Sequence, residues 1–216
     1  MVKKQQRQFV KSAEQQCSKL VEINLEHLFK IFKRNYALVP LEVFEKDPYK
    51  TLISTILSSR TKDEVTLEVS KRLFKIAPNL KTLKNLDIKI IQKAIYPVGF
   101  YITKAKHLKR LANTISKVPK TREELMKLPG VGRKTANLTL NRAFNIPSIA
   151  VDTHVHRISN FLGLVKTKLP EQTEKKLLKI IPKKYWSEVN RLFVSIGRQY
   201  PTNKKLEEFL KKEKVI

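Results

Sequence analysis

"LPGVGRKTA", residues 128–136, sets a proline and two glycines directly before Arg133 and Lys134. Glycine tolerates positive φ and lets another backbone come close, so Leu128, Pro129, Gly130, Val131 and Gly132 read as a tight hairpin joining two helices. Upstream, Thr121 and Glu124 form a capping-box pattern that opens the short helix "REELMK". Downstream, "RKTANLTLNRAF" continues as a longer helix, so the unit covers about residues 122–144. Unpaired N–H groups at the start of that second helix carry partial positive charge and suit a phosphate oxygen. Val131 is expected to pack inward and anchor the turn. A G-x-G alone also fits an ordinary corner between helices, so the charge of the chain has to decide.

That charge is large. Lys and Arg total 45 against 19 Asp and Glu, a formal net charge of +26. Self-repulsion of this size weakens a compact state, and a polyanionic partner relieves it; nucleic acid comes first, a ribosomal or anionic-membrane role behind it. Hydrophobic residues make up 41% of 216, enough for a globular core and too many for a disordered basic tail. Cys17 is the single cysteine, which excludes an intrachain disulfide and a cysteine-ligated metal cluster. No apolar run approaches the roughly 20 residues of a membrane span, and no apolar signal core follows the basic N-terminus. An intracellular protein, cytoplasmic or associated with the nucleoid (nuclear if eukaryotic), is expected.

With five glycines and apolar residues recurring at three and four, the chain reads as all-α with short connections. Val10, Leu20, Leu25, Leu28, Ile31 and Phe32 mark a first helical stretch. Asp47 and Pro48 supply an N-cap and a first-turn proline for "PYKTLISTILSSR". Thr61 and Glu64 form a second capping-box pattern before "VTLEVSKRLFKIA", which Pro78 closes. Pro97 and Gly99 stop "DIKIIQKAI", and "YITKAKHLKRLANTIS" follows. Asp152 in "VDTH" suits an N-cap of the helix "THVHRISNFL".

These residues also carry a resemblance. "LPGVGRKTA" followed by "IAVDTH", with Lys134 and Asp152 eighteen positions apart, resembles the helix–hairpin–helix signature of the endonuclease III family of DNA glycosylases. "PYKTLISTILSSRTKDEVT", "VGFYITKAKHL" and "RLFVSIGRQY" resemble further segments of that family, covering roughly residues 26–200. The resemblance implies two helical lobes with a DNA cleft between them. One is a helical barrel, residues 41–147, carrying the hairpin; the other joins residues 1–40 to 148–216.

It further implies a bifunctional DNA N-glycosylase and AP lyase of base excision repair that removes oxidised pyrimidines. Lys134 would attack the sugar C1′ carbon, expel the base and leave a Schiff base, and elimination of the 3′ phosphate would nick the strand. An ordinary lysine, with a pKa of about 10.4, is neutral in about one molecule in two thousand at pH 7. The site therefore has to favour the free amine. Asp152, beyond its capping role, would stabilise positive charge developing on the sugar. Arg60 stands where many relatives have glutamine and would fill the space of the extruded nucleotide, which leaves the opposite-base preference open. Phe100 matches an apolar wedge, though core packing also fits it. Leu128, Gly130, Val131, Gly132 and Arg133 would grip the DNA backbone, and His154 would support the Asp152 turn or touch DNA. His154 and His156 lack the spacing and partners of a metal site.

A second departure from the family lies near the C-terminus. Most relatives hold an iron–sulfur cluster with four C-terminal cysteines; here the C-terminal stretch contains none, and Pro201 falls near the first ligand position. No cofactor is expected, and the lysine-rich tail is expected to supply phosphate contacts instead. Double-stranded DNA bearing a damaged or abasic nucleotide is the expected partner, bound by a monomer. A monofunctional glycosylase that activates water, or a passive DNA-binding module, remain the alternatives. The first would excise without a covalent adduct; the second would bind without scission.

Overall fold

A computed structural model describes residues 23–216. Cys17, Val10 and Leu20 lie outside the described residues. Twelve α-helices and two short 3-10 turns make up the secondary structure of the described residues, which contain no strand. Asn24 caps α1 (Leu25–Arg34) by accepting the His27 amide, and Leu28, Phe29, Ile31 and Phe32 form its buried face. After a 3-10 turn at Pro40–Phe44 comes α2 (Pro48–Ser58), opened by Asp47 and Pro48 as the sequence predicts, with Asp47 Oδ1 3.0 Å from the Lys50 amide.

Helix α2 is the centre of the first core. Every residue from Thr51 to Leu57 is buried, an all-round pattern that suits a helix covered on several sides. Its hydroxyls cause no loss, because Thr51 bonds the Phe44 carbonyl at 2.7 Å and Thr55 the Thr51 carbonyl at 2.7 Å. Around it lie α3 (Asp63–Ile76), α4 (Leu80–Asn85), α5 (Ile88–Ile95), α6 (Tyr101–Thr114), α7 (Arg122–Met126) and α8 (Arg133–Phe144). Buried residues from Leu41 to Leu140 form one continuous apolar cluster in these elements. Helix α2 packs extensively on α8, so the helix after the glycine turn is braced by a helix buried on several sides.

The second core has a different chain order. It joins α1 to α9 (Thr153–Phe161), α10 (Pro170–Ile180), α11 (Trp186–Gln199) and α12 (Asn203–Lys212), with Phe32 edge-on to Phe193 at 5.2 Å. One sequence expectation fails here. Thr61 and Glu64 do not form a capping box, since Lys62 occupies the N-cap of α3 without a side-chain bond. The Thr61 hydroxyl instead receives the Gly99 amide at 3.1 Å, a tertiary contact that local sequence does not encode.

Candidate active site

The glycine turn is shaped by its neighbours. Gly130 has φ +79°, and a β-carbon there would lie 2.8 Å from the ring of His107 on α6. Both facts require glycine. Gly132 differs: as N-cap of α8 it has ordinary φ and open space around it, leaving the helix start uncovered. Leu128 and Val131 turn their side chains into the first core, Val131 as the sequence predicts, so at this surface they offer backbone groups. Thr121 caps α7 as predicted, its hydroxyl oxygen 3.3 Å from the Glu124 amide.

Lys134 stands in the first turn of α8, exposed, and makes no ion pair among the described residues. Asp152 is the N-cap of α9, its Oδ1 2.8 Å from the Val155 amide. The two share the wall of a cleft of about 830 Å³ that also receives Arg60, Gly130, Gly132, Arg133 and His154. Phe100 is not among its lining residues. It projects beside the cleft, 64% exposed, with the Arg60 guanidinium 5.7 Å from its ring centroid. A smaller recess of about 40 Å³ behind Lys134 and Asp152 is bordered by Asp63, Arg142 and Asn190.

The separation of Lys134 from Asp152 is set by buried amides. Asn137 on α8 donates to the Ile149 carbonyl at 2.9 Å, and Asn141 to the Ser148 carbonyl at 3.0 Å. Asn190 on α11 donates to the Ala150 carbonyl at 3.0 Å. Three side chains thus pin the segment leading to Asp152 against the helix carrying Lys134 and against α11. A buried amide without a partner is costly, so this register is strongly specified. The asparagines at 137 and 141 share one helix face, the only sequence signal of this brace.

Two sets of ion pairs tie the walls together. Arg198 on α11 reaches Asp63 at 2.6 Å and Glu64 at 2.5 Å on α3. Glu174 on α10 is buried against Arg122 at 3.4 Å and Arg133 at 3.6 Å. Arg133, read from sequence as a phosphate grip, is therefore also a structural cation; no local feature marked Glu174 as its partner. His154 packs on the backbone of α11, where a β-carbon at Gly197 would collide with its ring. Burial holds its imidazole below the ordinary histidine range; the Asp152 carboxylate opposes this, while Arg157 and Arg198 add to it.

Comparison with known proteins decides the family. The model of the HhH-GPD superfamily base excision DNA repair proteins matches residues 53–183, more than half of the chain. Endonuclease III of Thermotoga maritima is 42% identical over 200 residues, covering 89% of this chain and 91% of its own. The chain belongs to the endonuclease III family. Endonuclease III of Bacillus subtilis is 35% identical, with 74% and 75% of the two chains covered. Among solved structures, an endonuclease III trapped as a covalent intermediate with DNA, an estranged-adenine complex, superposes with a TM-score of 0.75. It is 34% identical, and 87% of each chain is covered. A thermostable thymine-DNA glycosylase reaches a TM-score of 0.72 at 20% identity, which speaks for the shared fold.

The iron–sulfur cluster implied by the endonuclease III resemblance does not fit the residues present. Such a site needs four thiolates, and this sequence has one cysteine, at position 17. Tyr200 stacks on Phe209 at 4.3 Å where α11 turns into α12, and Leu206, Phe209 and Leu210 enter the second core. Among the described residues no group of three or more His, Cys, Asp or Glu is placed to hold a metal.

Proposed function

We propose that this endonuclease III family member is a DNA glycosylase and AP lyase that removes oxidised pyrimidines from duplex DNA and then nicks the abasic site. One observation carries the reading: an exposed lysine at the open start of α8 shares a cleft with a carboxylate held at the start of α9. In the proposed reaction the Lys134 amine adds to C1′ of an extruded deoxyribose as the bond from C1′ to the base breaks. The base takes up a proton and leaves. Ring opening gives a Schiff base between Nζ and C1′. Loss of a C2′ proton then expels the 3′ phosphate and breaks the strand.

The Asp152 carboxylate would lower the barrier by facing positive charge on the sugar, its direction fixed in advance by the Val155 amide. The uncovered N–H groups of α8, with Gly130 and Gly132, would grip a neighbouring phosphate. Arg60 and Phe100 would enter the gap left by the nucleotide, offsetting an extrusion cost of a few kcal/mol. The division into a barrel unit, residues 41–147, and a second unit belongs to the same proposal and is supported by the two apolar cores. So do action as a monomer and residence wherever the cell keeps its DNA; none of the described helices is long and apolar enough to cross a membrane.

Borohydride trapping tests the mechanism. Incubating the protein with a thymine-glycol or abasic duplex and borohydride is expected to yield a covalent adduct, and Lys134→Gln to abolish both adduct and nicking while retaining DNA affinity. Excision without an adduct would point to activated water instead. Nicking preserved in Lys134→Gln would remove the lysine from its role.

A further inference from the structure

Lys104 is a buried ammonium group, 6% exposed, without an acidic partner among the described residues. It lies on α6, one turn beyond Phe100. Its three N–H groups meet the Leu57 carbonyl at 2.8 Å, the Ser59 carbonyl at 2.6 Å and the Thr61 hydroxyl at 3.5 Å. Both carbonyls belong to the C-terminal end of α2, where acceptors lack intrahelical partners and partial negative charge collects. Burial alone brings this amine down to about 8, so the fold carries a charge in a place that disfavours it. A hydrophobic side chain would satisfy the packing at that position, but it would leave the carbonyls unpaired.

The segment Lys104 grips is the one that carries Arg60. Thr61, at the edge of that grip, also holds the Gly99 amide. A β-carbon at Gly99 would stand 2.6 Å from the Arg60 carbonyl oxygen, so the two loops are in backbone contact. On either side of the contact, Arg60 with φ 53° and Phe100 with φ 58° occupy the left-handed region. Such conformations are disfavoured for a non-glycine residue and persist where surrounding contacts over-determine them. Here those contacts converge on Lys104, Thr61 and Gly99.

We infer that Lys104 is a positioning residue that fixes the spacing between Arg60 and Phe100, and through it the efficiency with which a nucleotide is extruded from a duplex. Lys104 itself is buried and is not among the residues lining the cleft. The inference rests on the reading of Arg60 and Phe100 as inserted side chains. It predicts a dependence that mere stabilisation of α2 would not produce. A duplex must be unstacked and its orphaned base accommodated, whereas an abasic site in a single strand needs neither. Loosening the spacing should therefore slow duplex cleavage more than single-strand cleavage.

The experiment compares single-turnover nicking of one abasic oligonucleotide, alone and in duplex, at saturating protein. Lys104→Met and Gly99→Ala, which act at the two ends of the contact, are each expected to lower the duplex-to-single-strand rate ratio about tenfold. They should also reduce the fluorescence rise of 2-aminopurine placed beside the abasic site. Phe100→Ala is the control for the underlying reading and should lower the same ratio. An unchanged ratio in Phe100→Ala would reject the insertion reading. A lowered ratio there, with Lys104→Met and Gly99→Ala unchanged, would reject the positioning role alone. If Lys104→Met fails to give a native circular dichroism spectrum, Lys104→Gln, shorter and uncharged, takes its place, and an unchanged ratio there rejects the positioning role.

Discussion

Asp152 has two roles that a single substitution separates. Its Oδ1 accepts the Val155 amide as an N-cap, and its charge faces the cleft that holds Lys134. Asparagine caps a helix about as well as aspartate, and losing the cap altogether would cost about 1 kcal/mol. Asp152→Asn is therefore expected to leave stability within about 0.5 kcal/mol of wild type in urea denaturation. The same variant should lose about a hundredfold or more in single-turnover excision, the scale of removing one preorganised electrostatic group. A large drop in stability with little change in excision would make the residue a cap only.

At the scale of elements, α12 combines two properties the sequence could not rank. Leu206, Phe209 and Leu210 are buried in the second core, while Lys204, Lys205, Lys211 and Lys212 are exposed. Arg157 on α9 holds the corner by bonding the Tyr200 carbonyl at 2.8 Å, so the C-terminal helix is tied to the element whose start carries Asp152. Removing the tail would damage the core before it revealed any phosphate contact. Phe209→Ala is expected to cost about 3–5 kcal/mol in urea denaturation. The paired change Lys204→Gln with Lys205→Gln should leave stability nearly unchanged. It should also lower the slope of log affinity against log salt by up to about 2. An unaltered slope would assign the helix to folding alone.

Across the whole molecule, the cleft is held by charges that bridge its two walls. Glu174 is buried with two guanidinium partners, Arg122 and Arg133, each partly exposed. Breaking a fully buried pair costs about 3–5 kcal/mol, and solvent near the arginines reduces this, so Glu174→Gln should destabilise by about 1–3 kcal/mol. Thermal unfolding at low and high salt checks it: the loss should shrink as salt screens the freed guanidinium groups. The all-α class, the glycine hairpin and the Asp47 and Asp152 caps were legible along the chain, because each depends on residues a few positions apart; the pairing of Lys134 with Asp152 came through the family resemblance alone. Thr61 shows the limit: its pattern predicts a local cap, yet a distant amide, that of Gly99, claims its hydroxyl. Phe100 matches a wedge in sequence but fits a core as well, until the fold leaves it exposed beside Arg60. The sequence by itself determined which helices form and where a tight glycine turn must lie, since helix periodicity, caps and glycine conformations are local energies. Only the tertiary structure decided which buried polar groups answer one another, Lys104 to the end of α2, Glu174 to Arg133, the asparagines to the approach of Asp152. Those pairings arise when distant segments are desolvated together, and no short stretch of chain contains both partners.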